Sequence, residues 1–528
     1  GIGFITADGV ARSLGMALDA PERLGAGVAF ALEQARDDGH CGVPEAMIVE
    51  RAARLLDADL GLVERAADAE VQDRRLIVDT IGGERHLFLP DLYRAEKRIA
   101  DKLKTLATGK PPWPKFDLDR EVTRVEARTG KVLAPSQRDA LARVLSAKVS
   151  VITGGPGVGK TTLLDTLLKL LSSLDLTIVL AAPNGRAAKR MTEQTGLEAK
   201  TIHRLLEIDP EFGAFSRGRE NLLACDLLVV DEMSMVDVPL MDALVDALPL
   251  GAGFIMVGDV DQLPPVGPGQ VLADIIAADI VPVARLTEVF RQAQESRIIA
   301  NAHRINAGDM PELPPAGEVS DFYMVEMSSP EDGLGKIIEI VKERIPKRFG
   351  LDPMRDVQVL SPMNKGVLGA RNLTIELQKA LNPPRGTTIE RYGWTYAAGD
   401  RVMQTANDYD RDVFNGDLGA VSRVDLEAGE LIALFDGRPV TYGFTDLEDL
   451  VPAYATTIHK SQGSEYPAVV IPVTLQHYPM LARNLVYTAV TRGRSLVVIV
   501  GESRALAIAV NGGRSVKRFT KLKEWLAG

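Results

Sequence analysis

Two hydrophobic patterns divide this chain of 528 residues. From about residue 130 onwards, short continuous apolar runs alternate with stretches in which apolar residues recur at helical spacing. Such runs indicate strands buried on both faces, which are typical of parallel sheets covered by helices. The clearest runs are 149–152, 177–182, 227–230, 254–257, 357–360 and 496–500. The pattern predicts an α/β fold over most of the chain.

The N-terminal part of the chain has a different, mainly helical pattern. Apolar residues recur at helical spacing over 21–56 and again after Pro90. Between these stretches, two apolar runs flank Gly82 and Gly83, which predicts a β-hairpin wing. Residues 1–8 resemble the second half of a helix–hairpin–helix, and a plain helix start fits them equally well. We expect a winged-helix-like region that either contacts DNA or serves as a packing module.

Breaks in these patterns suggest the domain boundaries. The run Pro111-Pro112-Trp113-Pro114 interrupts helix, and short strands around the Asn415-Gly416 turn suggest a small β-barrel. The predicted divisions are a helical N-terminal region (1–110), a linker (111–129), a first α/β domain (130–280) with a hairpin at about 206–222, a second α/β domain (281–396 and 454–528) and the inserted barrel (397–453). The basic tail from Lys517 to Lys523 is interpreted as a solvated face.

Composition places the chain among ordinary globular proteins. Its hydrophobic fraction is 46%, its charged fraction is 25%, and no apolar run reaches the length of a membrane span. Cys41 and Cys225 form neither a disulfide framework nor a metal-binding pattern. We therefore expect a cytoplasmic protein without a membrane partner, and its start at Gly1 suggests that N-terminal residues are missing. The net charge of −11 weighs mildly against a nucleic-acid partner, although a groove can be locally positive.

A phosphate-binding loop follows the first apolar run of the α/β region. Gly154, Gly159, Lys160 and Thr161 match the spacing G-x-x-x-x-G-K-[ST] between a predicted strand and a predicted helix. Glycines let successive N–H groups converge on an anion, while the lysine reaches the β- and γ-phosphates and the threonine hydroxyl binds Mg²⁺. The alternative is a simple glycine turn. The loop predicts that the chain binds ATP or another nucleoside triphosphate.

Two further strand ends carry polar residues suited to the same site. The strand 227–230 ends in Asp231 and Glu232, which suit Mg²⁺ binding and polarisation of the attacking water. Gln262 follows the next strand, 254–257, and is placed to sense the γ-phosphate. A surface turn is the alternative for the acidic pair. Together these residues predict one hydrolytic site.

In this order, the motifs resemble those of superfamily 1 DNA helicases, and more closely the RecD-like 5′→3′ branch. The similarity spans roughly residues 130–500 and is marked in Gly258–Pro265 and Thr457–Glu465. The helical N-terminal extension resembles the long form of that family, which occurs without RecB and RecC partners. The resemblance implies two RecA-like P-loop domains with an inserted SH3-like barrel and a β-hairpin pin, preceded by the helical, winged-helix-like region.

The resemblance also implies residue roles. ATP and Mg²⁺ would lie between the RecA-like domains, with Arg291 and Arg492 as arginine fingers, although a lone arginine is more often a surface ion pair. Lys160, Asp231, Glu232 and Gln262 complete the predicted catalytic set. Predicted nucleotide contacts are Gln137, Gly155, Pro156, Gly157, Val158, Gly159, Lys160, Thr161, Thr162, Gly463 and Glu465. Predicted DNA contacts are Pro183, Asn184, Arg186, His203, Asn364, Thr457, His459 and Lys460. Asn184 stands where the family commonly has Ser or Thr.

The stretch from Glu207 to Asn221 suits a protruding pin that separates strands. Phe212 and Phe215 offer aromatic surface that can offset lost base stacking, and the alternative is that both rings pack into the core. We expect an ATP-dependent 5′→3′ DNA helicase of repair or recombination, monomeric, acting on single-stranded DNA and single-strand/duplex junctions. A nucleic-acid-binding ATPase switch without processive unwinding is the main alternative, and a transport or chaperone ATPase is a third.

Overall fold

The structure is a computed structural model that describes residues 3–209, 213–289, 295–315, 317–408, 410–513 and 517–528. Two residues singled out by the sequence, Phe212 and Arg291, lie outside these ranges. Among the described residues, no helix combines the length and the apolarity needed to cross a lipid bilayer.

The N-terminal region is a set of helices with a small antiparallel sheet, as the sequence predicts. Its strands are Gly42–Pro44, Ile77–Ile81 and Glu84–Phe88, and its helices are Phe4–Ser13, Pro21–Asp37, Glu45–Leu56, Leu60–Gln72 and Pro90–Ala107. The wing turns at Gly82 and Gly83, whose φ angles of 60° and 84° match a two-residue hairpin turn. Helical apolar faces meet in a core that includes Val28, Ile48 and Val63.

The predicted linker is partly folded into the first α/β domain. Residues Leu118–Thr129 form a helix whose Val122 and Val125 are buried in the same apolar cluster as Leu167. Trp113 is also buried, and its indole N–H donates a 2.9 Å hydrogen bond to the carbonyl of Leu145. The proline run breaks the helix as predicted, but apolar residues within and after it attach this segment to the domain.

The first α/β domain is a six-stranded parallel sheet. In spatial order its strands are Ala199–Thr201, Ile178–Ala182, Leu227–Val230, Gly253–Gly258, Val149–Gly154 and Val283–Leu286. Its helices beyond Leu118–Thr129 are Pro135–Leu145, Lys160–Leu171, Gly185–Thr195, Ile202–Leu205, Val238–Ala247 and Val271–Ala278, with a 3₁₀ turn at Met233–Met235. The last strand places the domain boundary after Leu286, later than the predicted 280, because it pairs with the strand before the phosphate loop.

The second α/β domain is a five-stranded parallel sheet. Its spatial strand order is Phe322–Glu326, Gly493–Gly501, Tyr466–Val473, Val357–Ser361 and Ala455–Thr457. Its helices are Arg297–Ala307, Pro330–Glu339, Ile345–Phe349, Ala370–Leu381, Arg483–Val490 and Ser503–Asn511, with a π turn at Ile340–Arg344 and 3₁₀ turns at His459–Ser461 and Leu475–Met480.

The inserted barrel is an antiparallel sheet, as the sequence predicts. Its spatial strand order is Arg438–Gly443, Glu430–Phe435, Leu418–Asp425, Arg401–Gln404 and Leu450–Pro452, with a 3₁₀ turn at Asp446–Asp449. A hairpin of Thr388–Arg391 and Trp394–Ala397 precedes it. Ile389 and Tyr396 of that hairpin are buried in the barrel core. The barrel unit therefore begins before the predicted residue 397.

The C-terminal tail is packed on the first α/β domain, with Lys521 buried and Lys517 and Lys523 exposed, so the interpretation as a solvated face holds only in part. The Arg518 guanidinium donates 2.7 Å hydrogen bonds to the carbonyls of Pro265, Gly267 and Gly269 in the first α/β domain. The helix Leu522–Ala527 then buries its leucines in the core of that domain. The carbonyl groups that bind the Arg518 guanidinium lie far away in sequence, so the local sequence pattern could not predict this contact.

Candidate functional site: a nucleotide cleft and a nucleic-acid surface

The phosphate loop joins the strand Val149–Gly154 to the helix that begins at Lys160. Its backbone turns at Gly157 and Gly159, whose φ angles of 73° and 78° favour glycine. The Gly159 residue caps the helix, so that the first helical N–H groups face the loop. The loop forms one wall of a cavity of about 410 Å³.

Both α/β domains contribute to this cavity, which lies in the cleft between them. The first domain supplies Gly155, Pro156, Gly157, Gly159, Lys160, Thr161, Asp231, Glu232 and Gln262, and the second supplies Glu465 and Arg492. These residues are far apart in sequence and were predicted to meet at one nucleotide. The Lys160 ammonium donates to the carbonyls of Gly154 and Gly155 within the loop.

The acidic pair follows the buried strand Leu227–Val230. Burial, and then the negative charge of Glu232, raises the pKa of Asp231 to about 6. The backbone of Glu232 has a φ of 52°, a left-handed conformation that is uncommon for a residue with a side chain. Such a conformation persists where the surrounding structure imposes it, often at functional sites. The sequence located the pair but gave no signal for this conformation.

The loop that carries Gln262 is held by the opposite domain. The Gln262 side-chain amide donates to Asp259 at 3.3 Å, and the same Asp259 oxygen accepts a 2.7 Å hydrogen bond from the Tyr487 hydroxyl. Next in the loop, the N–H of Leu263 donates to the Thr488 hydroxyl at 2.9 Å. The position of Gln262 therefore depends on the second domain.

Arg492 is 3% exposed and reaches the cavity from the second domain. Its guanidinium donates to the carbonyls of Thr488 and Ser464, each at 3.2 Å, and to the Thr491 hydroxyl at 3.4 Å. Neutral acceptors orient the group without neutralising its charge. A planar cation held in this way suits the stabilisation of negative charge that develops on a phosphate.

Four predicted nucleotide contacts lie elsewhere. Gln137 is fully buried: its side chain accepts from the Ala134 N–H and donates to the Gly159 carbonyl, so it supports the loop from behind. Its place in the first helical turn, where a glutamine can reach back to the N-cap, was a usable signal. The other three also lie off the cavity wall: Val158 is buried in the apolar core, Thr162 follows the lining residues into the helix, and Gly463 packs against Asn184.

Arg190 is a cavity residue that the sequence did not reveal. It projects from the helix Gly185–Thr195, and its guanidinium forms a 2.6 Å ion pair with Glu465 of the second domain. The same guanidinium is 4.0 Å from Glu232. One cation thus connects an acidic residue from each domain. An arginine on a helix is usually a surface residue, so no local signal separates this one from its neighbours.

The predicted DNA contacts of the first domain point towards the second domain. The Asn184 amide donates to the Gln462 carbonyl at 3.1 Å, while its oxygen caps the helix that follows. Arg186 donates to the hydroxyls of Ser464 and Tyr466 at 2.6 and 2.8 Å. Pro183 is half-buried at the start of the same loop. In this structure Asn184 and Arg186 connect the domains.

A separate cavity of about 370 Å³ lies between the second domain and the barrel. It is lined by three predicted DNA contacts, Asn364, Thr457 and Lys460, and also by Trp394 of the barrel hairpin. The Arg371 guanidinium lies 5.2 Å from the centre of the Trp394 ring. His459 is half-buried next to this surface, and burial lowers its pKa. Short polar side chains, a lysine and an aromatic ring form a surface suited to single-stranded nucleic acid.

His203 and Phe215 lie together in the predicted pin region. Burial lowers the pKa of His203, whose ring centre is 5.8 Å from that of Phe215. Hydrogen bonds between Asp209 and Ala214 and between Ser216 and Glu207 form a short hairpin. Phe215 packs against the domain core rather than projecting from this hairpin. For Phe215 the structure therefore agrees with the alternative that the ring packs into the core. Phe212 lies outside the described residues.

Two parallel α/β domains place a phosphate loop, an acidic pair and a buried arginine around one cleft, which is the arrangement of a P-loop ATPase with a site shared by two domains. Family models agree along the chain. They are an AAA domain over residues 137–268, a UvrD-like helicase C-terminal domain over 452–500, an ATP-dependent RecD-like DNA helicase SH3 domain over 373–435 and an ATP-dependent RecD2 DNA helicase HHH domain over 1–42. The last two confirm the predicted barrel and the helix–hairpin–helix start.

The chain belongs to the RecD2-like family of ATP-dependent DNA helicases. It is 36% identical to the ATP-dependent RecD2 DNA helicase of Deinococcus radiodurans, over 99% of this chain and 72% of that protein. It is 33% identical to the RecBCD enzyme subunit RecD of Mycobacterium tuberculosis, over 81% of this chain and 78% of that subunit. A solved structure of Pif1 helicases at forked double-stranded DNA is 21% identical, over 70% of this chain and 92% of that chain, with a TM-score of 0.44.

Proposed function

We propose that this protein hydrolyses ATP in the cleft between its two α/β domains, moves 5′→3′ along one DNA strand and separates the duplex ahead of it. One observation carries the proposal: the phosphate loop and acidic pair of the first domain share a cavity with Arg492 and Glu465 of the second. Because hydrolysis needs groups from both domains, each ATP cycle closes and reopens the cleft. Alternate closing and opening is the motion that translocation requires.

The first domain binds the triphosphate and activates water. Lys160 and the loop N–H groups neutralise the phosphates, and Glu232 orients the attacking water. Thr161 and Asp231 would hold Mg²⁺, which supplies charge neutralisation at the phosphates when bound. Burial, and then the charge of Glu232, raises the pKa of Asp231 to about 6. The two neighbouring carboxylates therefore repel each other, and a divalent cation bound by oxygen ligands would relieve this repulsion.

The second domain completes the site. Arg492 stabilises the charge that develops on the γ-phosphate during bond cleavage, and Arg291 has the same role by family resemblance. Gln262 senses whether the γ-phosphate is present, and its loop transmits this to the second domain through the contacts with Tyr487 and Thr488. Hydrolysis and domain movement are therefore coupled through these few contacts.

Single-stranded DNA is the proposed track, and single-strand/duplex junctions are the proposed substrates. Asn364, Thr457 and Lys460 would contact backbone phosphates, which carry no base information, so that movement is independent of sequence. The 5′→3′ polarity, the monomeric state and a role in DNA repair or recombination follow from the family resemblance.

Strand displacement with 5′-tailed and 3′-tailed duplexes tests the proposal. We expect ATP-dependent opening of the 5′-tailed substrate alone, together with ATP hydrolysis stimulated by single-stranded DNA. Opening of the 3′-tailed substrate alone would contradict the polarity. DNA-stimulated hydrolysis without opening of either substrate would identify a nucleic-acid-binding switch instead.

A further inference from the structure

A third cavity, of about 530 Å³, adjoins the nucleotide cleft, and its lining includes six cations and two carboxylates, Glu193 and Glu465. It lies between the helix Gly185–Thr195, the barrel and the start of the strand Tyr466–Val473. Four residues line both cavities: Arg190, Gln194, Glu465 and Arg494. The two spaces are therefore neighbours with a common wall, and the Arg190–Glu465 ion pair forms part of that wall.

Only part of the positive charge in this cavity is neutralised by ion pairs. Among the described residues, Arg186, Arg401 and Arg494 have no carboxylate within 4.0 Å of their guanidinium groups. Arg186 instead donates to the Ser464 and Tyr466 hydroxyls. The three other cations of the wall do have partners, since Arg190 pairs with Glu465, Lys189 with Asp436 and Arg355 with Asp352. The uncompensated charge is thus concentrated on three arginines.

Arg401 is the most unusual of the three because it is only 5% exposed. Its guanidinium donates a 2.7 Å hydrogen bond to the Val357 carbonyl, and burial lowers its pKa to about 10. Burial alone would raise the pKa of the neighbouring Tyr466, yet the charges of Arg186 and Arg401 lower it overall. A buried cation without a counter-charge is costly, and a bound anion removes that cost.

We propose that this basic cavity is a second anion site, which binds the inorganic phosphate produced by ATP hydrolysis next to the nucleotide cleft. The proposal rests on the proposed function for the source of the phosphate. Arginine guanidinium groups match the geometry of phosphate oxygens and form charge-assisted hydrogen bonds to them. The shared wall offers the product a short path from the γ-phosphate position, past the Arg190–Glu465 pair.

Equilibrium dialysis of radiolabelled orthophosphate tests the site. The full chain is first saturated with a non-hydrolysable ATP analogue, which occupies the γ-phosphate position, and analogue binding is measured in the same samples. We expect one orthophosphate to bind beside the analogue. Arg494→Gln and Arg401→Gln should each weaken orthophosphate binding about tenfold, whereas Arg344→Gln, an exposed arginine paired with Glu339 on the second domain, should not change it.

Three outcomes would overturn the proposal. The first is that no orthophosphate binds once the analogue is bound, and the second is that wild type and both cavity variants bind it equally. The third is that a single-stranded oligonucleotide displaces orthophosphate competitively. The last would assign the cavity to DNA phosphates. Because Arg494 is exposed, its variant remains informative even if Arg401→Gln fails to fold. Failure of the analogue to bind would contradict the proposed function instead, and the effect of Arg401→Gln, which alters a residue of the third cavity alone, would still decide the anion site in nucleotide-free protein.

Discussion

The hydroxyl of Tyr487 donates a 2.7 Å hydrogen bond to Asp259 across the cleft between the two α/β domains. Both groups are buried, and burial and then the Asp259 charge raise the pKa of Tyr487, so the phenol keeps the proton that it donates. The contact holds the loop of Gln262 against the second domain. Opening of the cleft must break this bond or move the loop with the second domain.

Tyr487→Phe is therefore expected to uncouple hydrolysis from movement. Losing a buried hydrogen bond to a charged group costs about 1.5–3 kcal/mol, so that the loop no longer follows the domain. We expect the number of base pairs opened per ATP hydrolysed to fall at least about tenfold, more than the ATPase rate itself. Tyr478→Phe, which alters an exposed tyrosine, is the matched control. Equal losses in unwinding and hydrolysis would argue against a coupling role.

Lys160→Ala should abolish ATP hydrolysis and leave single-strand binding nearly intact. The lysine belongs to the nucleotide cavity, while the candidate DNA surface with Asn364 and Lys460 lies between the second domain and the barrel. Steady-state ATPase assays and DNA-binding anisotropy measure the two effects. Turnover at the wild-type rate would reject the assignment of the phosphate loop.

Arg492→Ala should lower kcat for ATP hydrolysis by a factor of about 10³ or more and change ATP binding little. The side chain acts on charge that appears only in the transition state, so ground-state affinity is spared. Arg492→Lys keeps a charge but not the planar fork and should recover only part of the rate. If the loss appeared in ATP affinity with kcat unchanged, the finger role would be wrong.

Phe215→Ala should affect stability rather than strand separation. The half-buried ring packs against the domain core near His203, and its removal should lower the free energy of unfolding by about 2 kcal/mol. Unwinding per folded molecule should be unchanged. Phe212→Ala is the informative partner variant, because Phe212 is the remaining aromatic candidate for the wedge. We expect it to slow duplex opening while DNA-stimulated hydrolysis persists, and normal unwinding by it would remove the aromatic wedge from the mechanism.

Glu96 should make the protein less stable as the pH rises. Burial, and then the charge of Asp274, raises the pKa of Glu96 from 4.5 to about 8. The folded state keeps this proton longer than the unfolded state, so the stabilisation is complete below about pH 4.5 and is lost towards pH 8. Urea unfolding across this range should show a loss of up to about 1.4 kcal/mol per pH unit from this group.

Glu96→Gln should flatten that pH profile and stabilise the protein near pH 8. Glutamine keeps a carbonyl oxygen that can accept from the Lys521 and Leu522 N–H groups, as Glu96 does. Glu33→Gln, at an exposed position, should leave the profile unchanged. A wild-type slope in Glu96→Gln would show that another group titrates.

The sequence was most informative where chemistry depends on neighbouring residues. The spacing of Gly154, Gly159 and Lys160 located the phosphate loop, and apolar strands ending in polar residues located Asp231 and Gln262. In each case the local chain carries both the secondary structure and the functional group. The parallel sheets followed from the same apolar runs.

It was least informative where function or burial depends on distant partners. Arg190 lines the cleft beside Glu465 of the other domain, and Arg518 is held against the first domain because the carbonyls of Gly267 and Gly269 accept its hydrogen bonds. Gln137 was predicted as a nucleotide contact by family resemblance, whereas its local capping geometry directs its side chain under the loop. For both Arg518 and Gln137, backbone carbonyl groups accept hydrogen bonds from the side chain and fix its position, and motif position does not reveal these acceptors.

The C-terminal tail attaches the second domain to the first a second time. That domain continues from the first domain after Leu286, and its far end returns through Arg518 and the helix Leu522–Ala527 to pack on the first domain again. The second domain is therefore attached to the first domain at two points, after Leu286 and through Arg518 and the helix Leu522–Ala527. We expect two attachments to restrict the rotation of the second domain more than a single attachment would.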